Sequence, residues 1–108
     1  MSSTTITRGN SHETFYIQPS ITPAAVLTAI TAAQTFALPG LQTTDIIKVF
    51  GFNGAQTAGV IIGEADCFNA NVLSIQFGNI TGGTLTPQAG VYSIQIARLE
   101  GPAPVTAV

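Results

Sequence analysis

The chain predicts an all-β fold, a single antiparallel β-sandwich or jelly-roll-like barrel, and three features point there. Apolar residues recur with a period of two in several runs; Gly, Asn and Pro punctuate the gaps between those runs; and the gaps are short. Closely spaced strands with such turns are the pattern of a sandwich or barrel. At 108 residues the chain suits one domain, large enough to bury well over half of its unfolded surface without staples.

Taken in order, residues 1–13 are polar, with Arg8, Asn10 and Ser11, and read as an arm ordered only by contact with something else. The β-sandwich domain is expected over residues 14–100. Residues 22–34 are ambiguous by pattern. Thr22 before Pro23 resembles a helix start and Val26, Leu27, Ile30 and Ala33 form a helical stripe. Val26, Thr28 and Ile30 also alternate, and Thr28, Ile30 and Thr31 are poor helix formers, which favours a strand.

The run "TDIIKVFGF" is apolar on both faces, with Ile47 and Val49 on one and Ile46, Phe50 and Phe52 on the other, where Lys48 also falls. Such a strand needs a second layer or a partner subunit. In "GVIIGEADCF", Val60, Ile62, Glu64 and Asp66 share one face and Ile61, Ala65 and Cys67 the other. The second set is expected inside, because burying unpartnered carboxylates is costly. In "VLSIQF" and "VYSIQIA", Leu73, Ile75 and Phe77, then Tyr92, Ile94 and Ile96, oppose Ser and Gln. These two runs read as neighbouring antiparallel strands of one sheet. Between them "GNITGGTLTPQAG" reads as a long, exposed, uncharged hairpin connection, with Gly82 and Gly83 free to take positive φ and Pro87 ending strand pairing. The closing "GPAPVTAV", residues 101–108, carries Pro102 and Pro104 and is expected as a tail outside any regular strand.

Charge is the compositional anomaly. Asp, Glu, Lys and Arg make up 7% of the residues against about a quarter in ordinary domains. The chain is 45% hydrophobic, with a mean hydropathy of +0.42. A polar but nearly uncharged surface repels its neighbours weakly, which suits permanent assembly. A net charge of −2 with only Arg8, Lys48 and Arg98 as cations leaves no electrostatic footprint for nucleic acid. No apolar core follows a basic start, so the opening residues do not read as a signal peptide, and the most apolar window, "ITPAAVLTAITAAQTFALPG", is too broken by Thr and Pro for a spanning helix. No membrane partner is expected.

Residues with chemistry are few, and no enzyme activity, cofactor or metal is expected. His12, the single histidine, lies in the arm beside Glu13 without converging partners. Glu64 and Asp66 share one side of a strand, a spacing open to Ca²⁺ or acid and base work but more simply a solvated face. Cys67 rules out an internal disulfide and lacks a nearby cation in sequence to activate it; a small core residue is the simpler reading, and pairing between chains stays open. "GGTLT" and "GFNGAQTAG" lack the Lys of a phosphate loop. Asn79, Ile80 and Thr81 spell a glycosylation sequon that has meaning only on a secretory route.

The stretch from "QTFALPGLQTTDIIKVF" to "AGVIIGEADCFNANVLSIQFGNITGGTLTPQAGVYSI" resembles a recurrent small β-protein among the structural genes of tailed bacteriophages. The matching positions are Thr35, Phe36, Pro39, Gly40, Leu41, Asp45, Ala58, Gly59, Phe77, Asn79, Thr86 and Pro87, within residues 34–94. Thr44 stands where a glycine commonly precedes the Asp, and "FNANVL" replaces a more acidic turn. The resemblance implies a virion component assembled in the host cytoplasm: a capsid decoration or cement protein, or a head or tail accessory protein. Its partners would be itself, as a homotrimer or dimer, and a major capsid or other virion protein. Ile46, Phe50 and Phe52 are the candidate subunit contacts. The alternative is a cell-surface or carbohydrate-binding β-sandwich module, for which exposed aromatics would be needed.

Overall fold

The structure, a computed structural model, describes residues 10–27 and 31–106. Its seven strands are β1 (Ser11–Ile17), β2 (Ser20–Ile21), β3 (Thr31–Ala37), β4 (Ile46–Phe52), β5 (Val60–Asn69), β6 (Val72–Asn79) and β7 (Gly90–Leu99), with no helix among the described residues. They form two antiparallel sheets packed face to face. In sheet 1, β7 is central, with β4 along one side and β1 followed by β2 along the other. In sheet 2 the order is β3-β6-β5. Among the described residues no ladder joins the sheets at their sides, so the fold is a sandwich and not a closed barrel.

The two central strands supply the middle of the core. Leu73, Ile75 and Phe77 on β6 and Tyr92, Ile94 and Ile96 on β7 are almost completely buried and face each other between the sheets. Full burial of each such side chain contributes about 1.5–3 kcal/mol. The Phe77 and Tyr92 rings meet edge to face across this layer with centroids 6.3 Å apart.

The "SIQF" and "SIQI" strands are therefore not neighbours in one sheet, as their likeness suggests. They are the middle strands of opposite sheets, and "GNITGGTLTPQAG" crosses from one sheet to the other. Its middle is bound, not free. Val26 and Leu85 pair as an isolated bridge, and Pro87 is buried. Asn79, itself buried, donates through Nδ2 to Val26 O at 3.0 Å and Gly83 O at 2.7 Å, and accepts through Oδ1 from the Thr81 backbone and hydroxyl. The hairpin near this stretch is instead β5–β6, closed by Ala70 and Asn71, the latter at φ 66°.

The register of β5 corrects a second expectation. A bulge between Ile62 and Ala65 inserts an extra residue, so the inward set changes parity along the strand. Ala65 and Cys67 are inside as expected, but Ile61 is half exposed while Val60 and Ile62 pack on the core. Strict alternation cannot register such an insertion.

Residues 22–34 resolve into two extended pieces, the bridge at Val26 and the start of β3 at Thr31, with residues 28–30 outside the described set. Gln34 ties the pieces together: its Oε1 accepts from Ala24 N at 2.7 Å and its Nε2 donates to Ala24 O at 2.9 Å. At the start, β1 begins at Ser11, earlier than the expected boundary at residue 14, because Ser11 and Glu13 pair with Leu99 and Arg98 and Glu100 N donates to Asn10 O. The arm over residues 1–9 and the last two tail residues lie outside the described residues; Gly101 to Thr106 are exposed and form no strand.

Candidate functional site

Three large exposed apolar residues built on strands, Tyr16, Ile46 and Phe50, share the outer face of sheet 1, while Ile61 and Phe68 are exposed on β5 of sheet 2. On β4, Ile46, Lys48 and Phe50 point out and Ile47 and Val49 point in. Ile46 and Phe50 are each 56% exposed. Across the face, Tyr16 of β1 is 67% exposed, and its ring lies 6.2 Å from that of Phe50. Lys48 Nζ sits 5.3 Å from the Phe50 centroid, so the strip combines two rings, an aliphatic chain and one cation.

Phe52, expected with Ile46 and Phe50, is not part of this face. A bulge between Val49 and Gly51, with Gly51 at φ 143°, shifts the side-chain alternation by one residue. Phe52 turns toward the core and packs edge-on against Tyr92 at 5.4 Å. Tyr16 is the residue that sequence reasoning missed. Its signal lay in the alternation of Phe15 and Ile17 with Tyr16, at the edge of a segment whose polarity suggested an arm.

On the β1 side of the sandwich, an open cleft is lined by Phe15, Ile17, Leu38, Leu41, Ile96 and Arg98, with Pro19, Pro39 and Gly40 at its rim. Arg98 is fully engaged there. Its Nε donates to Asp45 Oδ1 at 3.0 Å, its Nη2 donates to Gly40 O at 2.6 Å, its Nη1 lies 3.6 Å from Glu13 Oε1, and its guanidinium rests 5.0 Å from the Phe15 centroid. Asp45 also caps its own turn by accepting from Gln42 N at 2.9 Å. The cation thus ties β1, β7 and the 38–45 loop together and is not held ready for an anionic ligand.

A third polar cluster sits at the β4–β5 connection. Tyr92 donates to Gln88 O at 2.6 Å and accepts from Gln56 Nε2 at 2.9 Å, while Gln56 Oε1 accepts from the backbone of Thr57 and Gln88. Burial pushes the Tyr92 phenol above its ordinary value of 10.0, and the Gln56 hydrogen bond works in the opposite sense. The cluster spans two loops and satisfies buried polar atoms, a structural arrangement.

The other candidates are spread apart. His12 is exposed on β1, Cys67 is buried with its thiol donating to Asn69 O at 3.0 Å, and Glu64 and Asp66 stand on the outer side of β5. Among the described residues, no three His, Cys, Asp or Glu side chains come together as a metal-binding group. No described helix is long and apolar enough to cross a membrane. Comparison of the chain with protein-family models, with curated proteins and with solved structures finds no match in any of the three.

Proposed function

We propose that this chain is a non-enzymatic structural protein of a bacteriophage particle, one that decorates or cements the capsid through many modest contacts. The observation that carries the reading is the exposed strip of Tyr16, Ile46 and Phe50 on the outer face of sheet 1, in a chain of which only 7% of residues are charged. An apolar strip rimmed by uncharged polar side chains such as Gln18 and Ser93 suits contact with another protein. Repetition over a particle multiplies weak contacts into firm attachment. Its partners on this reading are further copies of itself and a major capsid or other virion protein, and its place is the virion, assembled in the host cytoplasm. Ile46 and Phe50 remain contact residues, Tyr16 joins them, and Phe52 supports the strip from within. Mass spectrometry of purified particles tests the reading, and a Phe50→Ala chain should bind them more weakly.

The Tyr16–Phe50 pair also favours a second reading, a carbohydrate-binding module, because sugar rings stack on exposed aromatic faces. A glycan array separates the two: specific hits lost in Tyr16→Ala and Phe50→Ala would support it, and an array without hits would remove it.

A further inference from the structure

We propose that two copies of this chain join edge to edge, β4 of one beside β5 of the other, about a two-fold axis parallel to the strands. The inference concerns self-association alone and does not rest on the particle reading.

On one side of the sandwich, β4 closes sheet 1 and β5 closes sheet 2, each bonded, among the described residues, to a neighbouring strand on one flank only. They are consecutive strands with no ladder between them; Phe52 at the end of β4 meets Tyr92, which meets Phe77, the partner of Ile62 near the start of β5, so the two strands run in opposite directions. The groove separating them exposes the flanks of Ile47, Val49 and Ile62, with Lys48 on one bank and Glu64 and Asp66 on the other. An open flank of backbone donors and acceptors beside apolar side chains is what an added strand takes up.

Charge identifies the strand that fits. Among the described residues the cations are Lys48 and Arg98, and Arg98 is committed to Asp45 and Glu13. Lys48 lies level with Glu64 and Asp66 along the groove, yet forms no ion pair with either. The reason is directional. Lys48 stands on the outer face of sheet 1, and Glu64 and Asp66 alternate with the buried Ala65 and Cys67 and so stand on the outer face of sheet 2. Within one chain these faces look opposite ways.

A two-fold axis parallel to the strands changes this. It keeps heights along the strands and brings sheet 1 of one copy into line with sheet 2 of the other, with both outer faces on the same side. Lys48 then lies beside Glu64 and Asp66 of the second copy, and symmetry repeats the contact. The strands meet antiparallel, giving two continuous sheets of order β1-β7-β4-β5-β6-β3. The competing two-fold, perpendicular to the strands, would set β4 on β4 and β5 on β5, with lysine against lysine and four carboxylates together. Like charges directly opposed across strands are unfavourable, so the charges reject that pairing and admit the first.

Sedimentation equilibrium of the full chain tests this with K48E, the E64K/D66K pair and all three reversals combined. These side chains lie outside the core, and circular dichroism checks that each variant stays folded. The wild type should dimerise, K48E and E64K/D66K should each weaken the dimer about tenfold or more, and the triple reversal should restore it. Amide exchange along β4 and β5 should slow as wild-type concentration rises. A chain that stays monomeric or forms trimers, single reversals that dimerise as tightly as wild type, or a triple reversal that fails to restore association would each overturn the proposal. A chain that dimerises in this way but is absent from particles would overturn the particle reading alone.

Discussion

Arg98 binds Asp45 at 3.0 Å, and the Asp45 side chain is completely shielded from solvent while that of Arg98 is 22% exposed. The asymmetry sets the consequence of breaking the pair. Arg98→Ala leaves a buried carboxylate with only the Gln42 amide to satisfy it, and should cost about 3–5 kcal/mol. Replacing both members with apolar residues of similar volume should cost less than Arg98→Ala alone. Urea midpoints at constant slope check both values.

Phe50 and Phe52 are separated by one residue and should behave differently. Phe52→Ala removes the ring packed against Tyr92 and should destabilise by about 2 kcal/mol or more. Phe50→Ala removes an exposed ring and should change stability by no more than about 0.5 kcal/mol, while weakening attachment to a partner. Thermal unfolding with a particle-binding assay on the same variants reads both effects.

The parity of β4 and β5 explains how much of this was legible in the sequence. Period-two alternation located most strands, and the residues it buries on β6 and β7 are buried, although Ser74, which it places on the wet face of β6, is buried as well. It failed at Phe52 and at Ile61, and in both cases a bulge is the reason, since one inserted residue turns every later side chain to the other face. Gly51 and Gly63 hinted at irregular backbone, but glycine alone does not say which way a bulge goes. The likeness of "SIQF" and "SIQI" misled for another reason: identical patterns fit the middle strand of either sheet. Arg98 with Asp45, and Tyr16 with Phe50, are pairings across the fold that no local pattern carries.

Asn79 organises the crossing between the sheets, and Asn79→Ala should cost about 1–3 kcal/mol by removing its hydrogen bonds to Val26 O and Gly83 O and those it accepts from the Thr81 backbone and hydroxyl. Gly59 is a second fixed point. At φ +90° a Cβ would meet the methyl of Thr81 and lie 2.9 Å from Leu85 Cδ1, so Gly59→Ala should lower the melting temperature as well. Differential scanning calorimetry resolves both changes.

The raised Tyr92 phenol predicts sensitivity to alkali. Desolvation favours the neutral hydroxyl in the folded chain, so above the ordinary value of 10.0 the unfolded state gives up its proton first. Stability is therefore fully present below that value and falls as pH rises through the folded-state value. Denaturant titrations from neutral pH upward should show the decline, and Tyr92→Phe should be less stable at neutral pH yet flatter above pH 10.0.

The most direct test of the structural-protein reading is quantitative mass spectrometry of purified bacteriophage particles that carry this sequence, followed by a particle reconstruction. The account predicts the chain at many copies per particle, with the Tyr16, Ile46 and Phe50 face of sheet 1 against a neighbouring protein. Mature particles that lack the chain, or a reconstruction in which that face is open to solvent in every copy, would contradict it.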